Sequence, residues 1–307
     1  MELRPVQIAT LRRALLDDIF VDFKSSRYRW LCRLMLPLVW PAAHRFARIA
    51  ASFDLYVQHL GLREGMRRIL PYFVSDVRAC GVEHVPAEGA LLVVSNHPGA
   101  YDSIAIAATL PRTDLNIIAG GFSLLQRLPA ASQHLIFITA DVRARMMAVR
   151  SAIRHLQEGG AVLIFPGGRV EPDPAYLPGM FEAMNAWSSS LELFLRKVPQ
   201  VKVLPTIVSG VLSPKFLNSP FIRFWQGIRN PQAAAEVIQV ITQMFFPKKV
   251  QLVPQISFGP AKTVDELMSE QAVGEDLLAS IIAEARCLLE EHGLRFKNKS
   301  EFSDSPC

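Results

Sequence analysis

The chain has 307 residues, enough for one large α/β domain with additional helices or for two small domains. Hydrophobic residues make up 50% of it and the mean hydropathy is +0.22, but no stretch offers 18 uninterrupted apolar residues. We therefore expect no transmembrane helix. The net charge is +5 and the isoelectric point is about 9.1, which favours an anionic membrane surface as a partner. Nucleic acid is less favoured, because the sequence has no recognisable nucleic-acid module and no dense Lys/Arg run.

The cysteines and the N-terminus concern the compartment. Cys32, Cys80, Cys287 and Cys307 are scattered and show no metal-binding spacing. The N-terminus is charged and amphipathic without a cleavage site, so we expect no signal peptide. Together these features predict a reducing, cytosolic compartment.

Apolar residues at helical spacing predict that residues 1–75 are helical. The stretch Arg29–Val57 is rich in Trp and Leu and is interrupted by Pro37 and Pro41. Arginines punctuate this region at Arg27, Arg29, Arg33, Arg45 and Arg48. Trp beside Arg suits a helix that lies in a membrane interface. A helical hairpin packed on the main domain explains the same pattern, and both interpretations remain open here.

From Val77 onwards, short apolar runs alternate with helical patterns. The predicted strands lie within Val77–Pro86, Glu88–His97, Leu115–Ala119, Leu135–Thr139, Ala161–Pro166, Val201–Val208 and Val250–Phe258. The predicted helices are Tyr101–Leu110, Phe122–Pro129, Asp141–Gln157, Met180–Arg196, Leu217–Phe246 and Asp265–Gly293. This alternation predicts an α/β fold with a mostly parallel sheet flanked by helices and an N-terminal helical hairpin.

The same pattern suggests a domain organisation. We expect an N-terminal helical segment over residues 1–75, an α/β domain over 76–262 and C-terminal helices over 263–295. The last dozen residues, 296–307, are polar, and we expect them to be disordered.

The first motif is Leu91–Ser103, LLVVSNHPGAYDS, in which a buried strand leads through Pro98-Gly99 into a helix. On one regular helix, the side chains of His97 and Asp102 would diverge by roughly 140°. They can meet only across a bend, which Pro98-Gly99 supplies. A His held by a carboxylate at the end of a strand is a candidate general base. The alternative is a loop histidine followed by an aspartate that caps the helix.

The second motif is Phe165–Asp173, FPGGRVEPD, which follows an apolar strand. It therefore lies at the carboxyl end of a strand, where open α/β sheets place ligands. Its two glycines allow a ligand close to the backbone, and Arg169 is suited to grip a phosphate or carboxylate. A tight turn with a solvated Arg is the competing interpretation.

Together the two motifs, NHPGAYD and FPGGR about 65 residues later, resemble the glycerolipid acyltransferase family of the lysophosphatidic acid acyltransferase type. That family carries N-H-x-x-x-x-D and F-P-E-G-T-R, a middle block that ends in Arg and a late block with a Pro inside a strand. Ile136–Arg143 falls where the middle block belongs, and Val203–Val208 matches the late block. The resemblance covers roughly residues 76–215.

The resemblance implies that His97 and Asp102 are catalytic, with His97 as general base. It also implies an acyl-CoA or acyl carrier protein donor, no metal, and an oxyanion stabilised by amides at Gly167, Gly168 or nearby. The residues that it places in substrate binding are Asn96, Arg143, Gly167, Gly168, Arg169, Glu171 and Pro205. Arg145 fits the middle block as well as Arg143 does.

The third block departs from the family pattern. Gly167 replaces the family's Glu, the Thr is missing or shifted, and Arg169 comes one place early. A PGG sequence followed by Glu171 looks more like the branch that acylates neutral acceptors. These departures bear on the acceptor and leave the acyl-transfer chemistry in place.

The sequence therefore predicts an O-acyltransferase, similar to 1-acylglycerol-3-phosphate acyltransferases, that uses no cofactor beyond the acyl thioester. The acceptor would be a glycerolipid hydroxyl, as in lysophosphatidic acid. The expected partners are the acyl donor, the lipid acceptor and the cytoplasmic face of a membrane, with no nucleic acid. The alternatives are an acyltransferase for a neutral alcohol or amine, or a non-catalytic lipid-binding protein on the same fold.

Overall fold

One sheet runs through the protein, whose computed structural model describes residues 5–19, 29–219, 222, 231–247, 249–269 and 276–297. Within these ranges the sheet has seven strands, in the order β1-β7-β6-β2-β5-β3-β4. The strands are β1 Arg78–Cys80, β2 Leu91–Ser95, β3 Leu115–Gly120, β4 Leu135–Ile138, β5 Ala161–Ile164, β6 Lys202–Ser209 and β7 Gln255–Phe258. The strands from β6 across to β4 are parallel, whereas β7 is antiparallel to β6 and β1 is parallel to β7. The predicted α/β fold with a mostly parallel sheet is confirmed.

Helices cover both faces of the sheet. In chain order they are α1 Pro5–Ile19, α2 Arg29–Leu60, α3 Leu62–Ile69, α4 Tyr101–Thr109, α5 Ser123–Gln126, α6 Val142–Gln157, α7 Met180–Met184, α8 Ser190–Lys197, α9 Pro214–Leu217, α10 Pro231–Phe245, α11 Val264–Ser269 and α12 Leu277–Lys297. Strand β2 is buried along its whole length. Leu91 and Val93 pack with α1 to α5, and Leu92 and Val94 pack with α6 to α8, α11 and α12. A parallel strand covered on both sides has this continuous apolar pattern.

The N-terminal helices pack on this core. Ala47, Ala51 and Val57 of α2 belong to the same buried cluster as the strand residues Leu91 and Val93. This part of the segment is a packing helix, as one of the two open interpretations predicts. No helix in the described ranges combines the length and the apolar character that crossing a bilayer requires.

Pro37 and Pro41 lie inside α2 and do not interrupt it. Each proline removes one N–H donor, so a carbonyl one turn earlier loses its helical partner. Both prolines are exposed, and water can therefore hydrate the carbonyls left without an N–H partner. The side chains of residues 29–35 lie outside what the structure describes.

Among the predicted elements that differ in extent from the observed ones, two have a visible cause. The predicted helix Met180–Arg196 is divided into α7 and α8, because the Ser188 amide between them donates to the carbonyl of Pro166 instead of to a helical carbonyl. The predicted strand Val250–Phe258 is reduced to β7, which begins after Pro254, a residue without an N–H to donate. The expectation for the tail falls mostly on residues outside the described ranges.

One cysteine bears on the predicted compartment. Cys80, on β1, is disulfide-bonded, whereas Cys287 is free and exposed. A reducing compartment does not favour a disulfide, so the predicted cytosolic location has no support from Cys80.

Candidate active site

His97 and Asp102 meet across the turn that follows β2. The strand ends at Ser95, the chain bends at Pro98-Gly99, and α4 places Asp102 in its first turn. The His97 Nδ1 atom lies 2.7 Å from the Asp102 Oδ2 atom. The predicted bend therefore brings the two side chains together.

Asp102 is fixed by its surroundings as well as by His97. Its side chain is fully buried and accepts hydrogen bonds from the backbone amides of Gly99 and Ser103. The positive end of the α4 dipole also favours a carboxylate in this first turn. A carboxylate held at so many points can fix both the orientation and the tautomer of the imidazole.

The imidazole of His97 is partly open to solvent. Its ring stacks on Phe165, with centroids 4.6 Å apart and an interplanar angle of 29°, and 27% of the side chain is exposed. Its Nδ1 atom faces Asp102, and Nε2 has no hydrogen-bond partner among the described residues. The free ring nitrogen is thus the one that a substrate hydroxyl can approach.

Three carboxylates set the charge state of His97. Burial lowers the pKa of the imidazole, but the charge and hydrogen bond of Asp102 raise it, and the charges of Glu236 and Glu171 raise it further. The net result is a pKa of about 9 for His97. In the free protein at neutral pH, His97 is therefore mainly protonated.

Glu171 clamps the backbone of His97. Its carboxylate accepts a hydrogen bond from the His97 amide at 2.9 Å, and its own amide donates to the His97 carbonyl at 2.8 Å. The second carboxylate oxygen accepts from the Trp187 indole N–H at 2.8 Å. Glu171 is only 2% exposed, so it supports the turn, and its role in substrate binding stays a prediction.

Gly167 makes room for that carboxylate. A Cβ atom on Gly167 would lie 2.3 Å from the Glu171 Oε1 atom and 2.8 Å from its Cδ atom. Both distances are far below ordinary van der Waals contact. The residue that departs from the family pattern therefore leaves the space that the nearby glutamate occupies.

Asn96 joins two strands. Its amide donates to the Val208 carbonyl at 2.9 Å and accepts from the Val208 amide at 2.8 Å. The side chain is fully buried. These bonds tie the end of β2 to β6 and leave the amide group no open side toward a substrate, so the predicted substrate-binding role has no support.

In the glycine turn after β5, the backbone amides of Gly167 and Gly168 differ in whether they are already hydrogen-bonded. Gly168 has a φ of +62°, which favours glycine, and its amide donates to the Phe165 carbonyl. The Gly167 amide has no acceptor among the described residues, so of the two predicted oxyanion donors it is the available one. Arg169 is exposed, and its guanidinium forms no ion pair in the described part of the chain.

Two predicted binding residues lie away from His97. Arg143 is exposed in the first turn of α6, which follows β4 at the sheet edge, three strands from β2. At about 4.8 Å per strand, the two strand axes are roughly 14 Å apart. Pro205 is buried inside β6, opposite Val94, and its carbonyl accepts from the Gly259 amide. Neither residue forms a hydrogen bond with the His97 turn in the part of the chain that the structure describes.

Sequence reasoning missed several residues that hold this site. Asp173 closes the second motif and is fully buried. Its carboxylate accepts hydrogen bonds from three successive amides after β6, those of Gly210, Val211 and Leu212. Glu236 on α10 accepts from the Ala100 amide. The only signal for Glu236 was the presence of polar residues in an apolar helix. That signal does not indicate which residue Glu236 contacts.

Comparisons with known proteins show what the segment that carries this site is similar to. Residues 76–209, which include the His97 turn and the second motif, match the family model described as Acyltransferase. No curated protein is significantly similar to the chain. Among solved structures, it is similar to the 1-acyl-sn-glycerophosphate (LPA) acyltransferase PlsC from Thermotoga maritima, with 17% identity and a TM-score of 0.45 over 91% of this chain and 95% of that chain. The family model confirms the resemblance predicted from the motifs, because residues 76–209 match an acyltransferase model.

Proposed function

We propose that the protein transfers an acyl group from a thioester to the hydroxyl of a glycerolipid acceptor such as lysophosphatidic acid. The observation that carries the proposal is the contact of 2.7 Å between His97 Nδ1 and Asp102 Oδ2 at the end of β2, with no hydrogen-bond partner for Nε2 among the residues that the structure describes. A histidine that is oriented through one nitrogen and open at the other is suited to remove a proton from a substrate.

The reaction requires one proton to move twice. Neutral His97 takes the proton of the acceptor hydroxyl at Nε2 while the hydroxyl oxygen attacks the thioester carbonyl carbon. Asp102 accepts the Nδ1–H bond and stabilises the imidazolium that forms. The tetrahedral intermediate then collapses, the carbon–sulfur bond breaks, and His97 returns the proton to the leaving thiolate. The products are an ester and a free thiol.

The developing oxyanion needs a donor near His97. The Gly167 amide follows β5, the direct neighbour of β2 in the sheet, and it belongs to the same loop as Phe165, on which His97 stacks. Preorganised backbone amides are effective donors to a developing oxyanion. We assign this role to the Gly167 amide and the orienting roles to Asp102 and Glu171.

A thiol-release assay tests the function. Purified full-length protein is given an acyl-CoA, or an acylated carrier protein, with and without a panel of acceptors, and free thiol and acylated product are both measured. We expect thiol release that depends on the acceptor and matches ester formation one to one. If no donor and acceptor pair gives product, the non-catalytic lipid-binding alternative replaces the proposal.

Two features of the site favour different acceptors. Asp102, Glu171 and Glu236 place three carboxylates around His97, which repel a phosphate held close to the imidazole. This favours a neutral alcohol or amine, as the departures in the third block also do. Arg169 is an exposed cation one residue after the glycine turn, and it favours a phosphate held further out.

Arg169→Ala distinguishes these acceptors. If the acceptor carries a phosphate, we expect KM for that acceptor to rise about tenfold with little change in kcat, because an arginine–phosphate contact is charge-assisted and made in the ground state. For a neutral acceptor we expect no change. Arg150→Ala is the control for lost surface charge, because Arg150 is an exposed arginine that lies on α6. Equal KM values for a phosphorylated acceptor in the wild type and in Arg169→Ala would remove Arg169 from the site.

We also propose that the protein works at the cytoplasmic face of an anionic membrane as a peripheral or monotopic protein. The basic net charge supports this, and so does the start of the described part of α2. There the side chains of Leu36, Leu38 and Trp40 are 38%, 63% and 45% exposed. Exposed apolar and aromatic side chains on one helix segment suit insertion at the headgroup level.

Leu38→Glu tests the membrane surface with little risk to the fold. Deleting residues 1–57 would remove core residues such as Ala47 and Ala51, so a point variant is the sharper probe. We expect sedimentation with anionic liposomes to weaken severalfold, because a charge would enter the interface in place of an apolar group. Leu294→Glu on α12 is the matched control, since Leu294 is 65% exposed. Equal weakening in both variants would contradict a contact specific to α2.

A further inference from the structure

The helix α10 carries a stripe of four polar residues, three of which are buried. Gln232, Glu236, Gln239 and Gln243 are spaced by four, three and four residues, which places them on one face of the helix. The three glutamines are at most 8% exposed. The helix lies outside residues 76–209, the segment that matches the acyltransferase family.

The N-terminal half of the stripe faces the two loops of the active site. The Gln232 side-chain amide donates to the Pro98 carbonyl at 2.6 Å and to the Glu171 carbonyl at 2.8 Å. Gln232 therefore contacts both the His97 turn and the loop after β5. The Glu236 carboxylate accepts the Ala100 amide, and it is so close to Gly99 that a Cβ there would lie 2.8 Å from the Glu236 Oε1 atom.

The rest of the stripe fixes the helix itself. Gln243 accepts from the Tyr101 hydroxyl and donates to the Phe73 carbonyl. Gln239 accepts from the Ser213 amide and donates to the Val211 carbonyl. Buried polar groups are costly unless they are paired, and a network in which each member is paired specifies one arrangement. The pairing therefore fixes α10 relative to the turn that carries His97 and Asp102.

We propose that α10 is a working part of the active site, and that Glu236 is a positioning residue that holds the His97 turn and favours the protonated state of His97 through its charge. The proposal rests on the acyl-transfer function proposed above. It extends the site beyond the family-matched segment to a helix that acts on the reaction through the His97 turn.

The charged groups around His97 agree with an electrostatic role for Glu236. His97 is faced by Asp102 from α4, by Glu171 from the loop after β5 and by Glu236 from α10. Burial and the charge of Asp102 raise the pKa of Glu236 to about 7, against the lowering effect of the Ala100 hydrogen bond and the charge of His97. Glu236 thus loses its proton around pH 7 and is mainly negatively charged near pH 9, where His97 loses its proton.

Glu236→Gln separates the charge from the hydrogen bond, because the amide oxygen still accepts from Ala100. We expect the pH midpoint of His97, followed by NMR of labelled histidine in the full-length protein, to fall by about one pH unit. The midpoint of the acid limb of the kcat/KM profile should move to lower pH by the same amount. Activity near pH 7, relative to the maximum, should therefore rise. Glu236→Ala should add a loss of kcat of about tenfold, because the turn also loses its acceptor.

Glu290→Gln is the matched control, since Glu290 is exposed on α12 and the net-charge change is the same. We expect its His97 midpoint and its rate profile to equal those of the wild type. A His97 midpoint in Glu236→Gln that equals the wild-type value overturns the proposal. The NMR titration needs no turnover, so it decides on Glu236 even if the wild-type protein transfers no acyl group, a result that would reject the proposed function instead.

Discussion

We expect His97→Ala to lower the rate of acyl transfer by about 10² to 10⁴, the range for losing a general base. The loss should fall on kcat and on kcat/KM alike, because the proton is transferred only in the transition state. Thiol release and ester formation, measured together at saturating donor, check this result. Wild-type turnover in a folded His97→Ala protein would contradict the assignment of His97 as base.

The fold of this variant needs its own control. His97→Ala leaves the buried Asp102 carboxylate without its cationic partner, which destabilises a fold. His97→Gln retains a side-chain N–H that can reach Asp102 and is the second variant. Asp102→Asn keeps the shape and removes the charge, and it should lower kcat in the same direction because the imidazole loses its orienting partner. Circular dichroism and thermal melting compare the variants with the wild type before activity is interpreted.

The pH dependence follows from the charge state of His97. Its pKa is raised from 6.5 to about 9 in the folded protein, so at pH 7 roughly one molecule in a hundred has the neutral base. We therefore expect kcat/KM to rise with pH and to level off above about 9.

The effect of pH on stability has the opposite sign. The protonated His97 contributes fully to stability below about pH 6.5, and this contribution is lost as pH rises through about 9.

The His97 turn was predictable because the information is local. Four apolar residues, a Pro-Gly pair and an Asp in the first helical turn determine where the chain bends within thirteen residues. The alternation of strands and helices fixed the fold class for the same reason. What a motif residue contacts is a different matter, since Asn96 bonds to Val208, 112 residues away. Spacing along the chain contains no signal for that contact.

The support from α10 was unpredictable for a related reason. Gln232 and Glu236 lie more than 130 residues beyond the turn that they contact, and a lone Glu in an apolar helix names no partner. Asp173 was visible as the end of the second motif, but its three amide donors come from a loop after β6. In each case the sequence contained the residue, and the tertiary fold determined its role.

The departure from the family pattern at Gly167 has a structural reason, which is the position of the Glu171 side chain. A side chain at position 167 and the Glu171 carboxylate compete for one space. The carboxylate in that space accepts from the His97 amide and from Trp187. Gly167→Ala should therefore displace the carboxylate and loosen the backbone of His97. We expect kcat to fall about 10- to 100-fold, as small misplacements of catalytic groups commonly cause, and the melting temperature to drop because the site is overpacked.

A double-mutant cycle shows whether Gly167→Ala acts through Glu171. Once Glu171→Ala has removed the carboxylate, the added methyl group has nothing to displace, so Gly167→Ala should cost little further activity in that background. Gly293→Ala is the control for adding a Cβ atom, because nothing lies within 4 Å of that position and alanine is favourable in a helix. If the losses from Gly167→Ala and Glu171→Ala simply add, the two residues act independently. The glycine at 167 would then require another explanation, such as close approach of the acyl chain to the backbone.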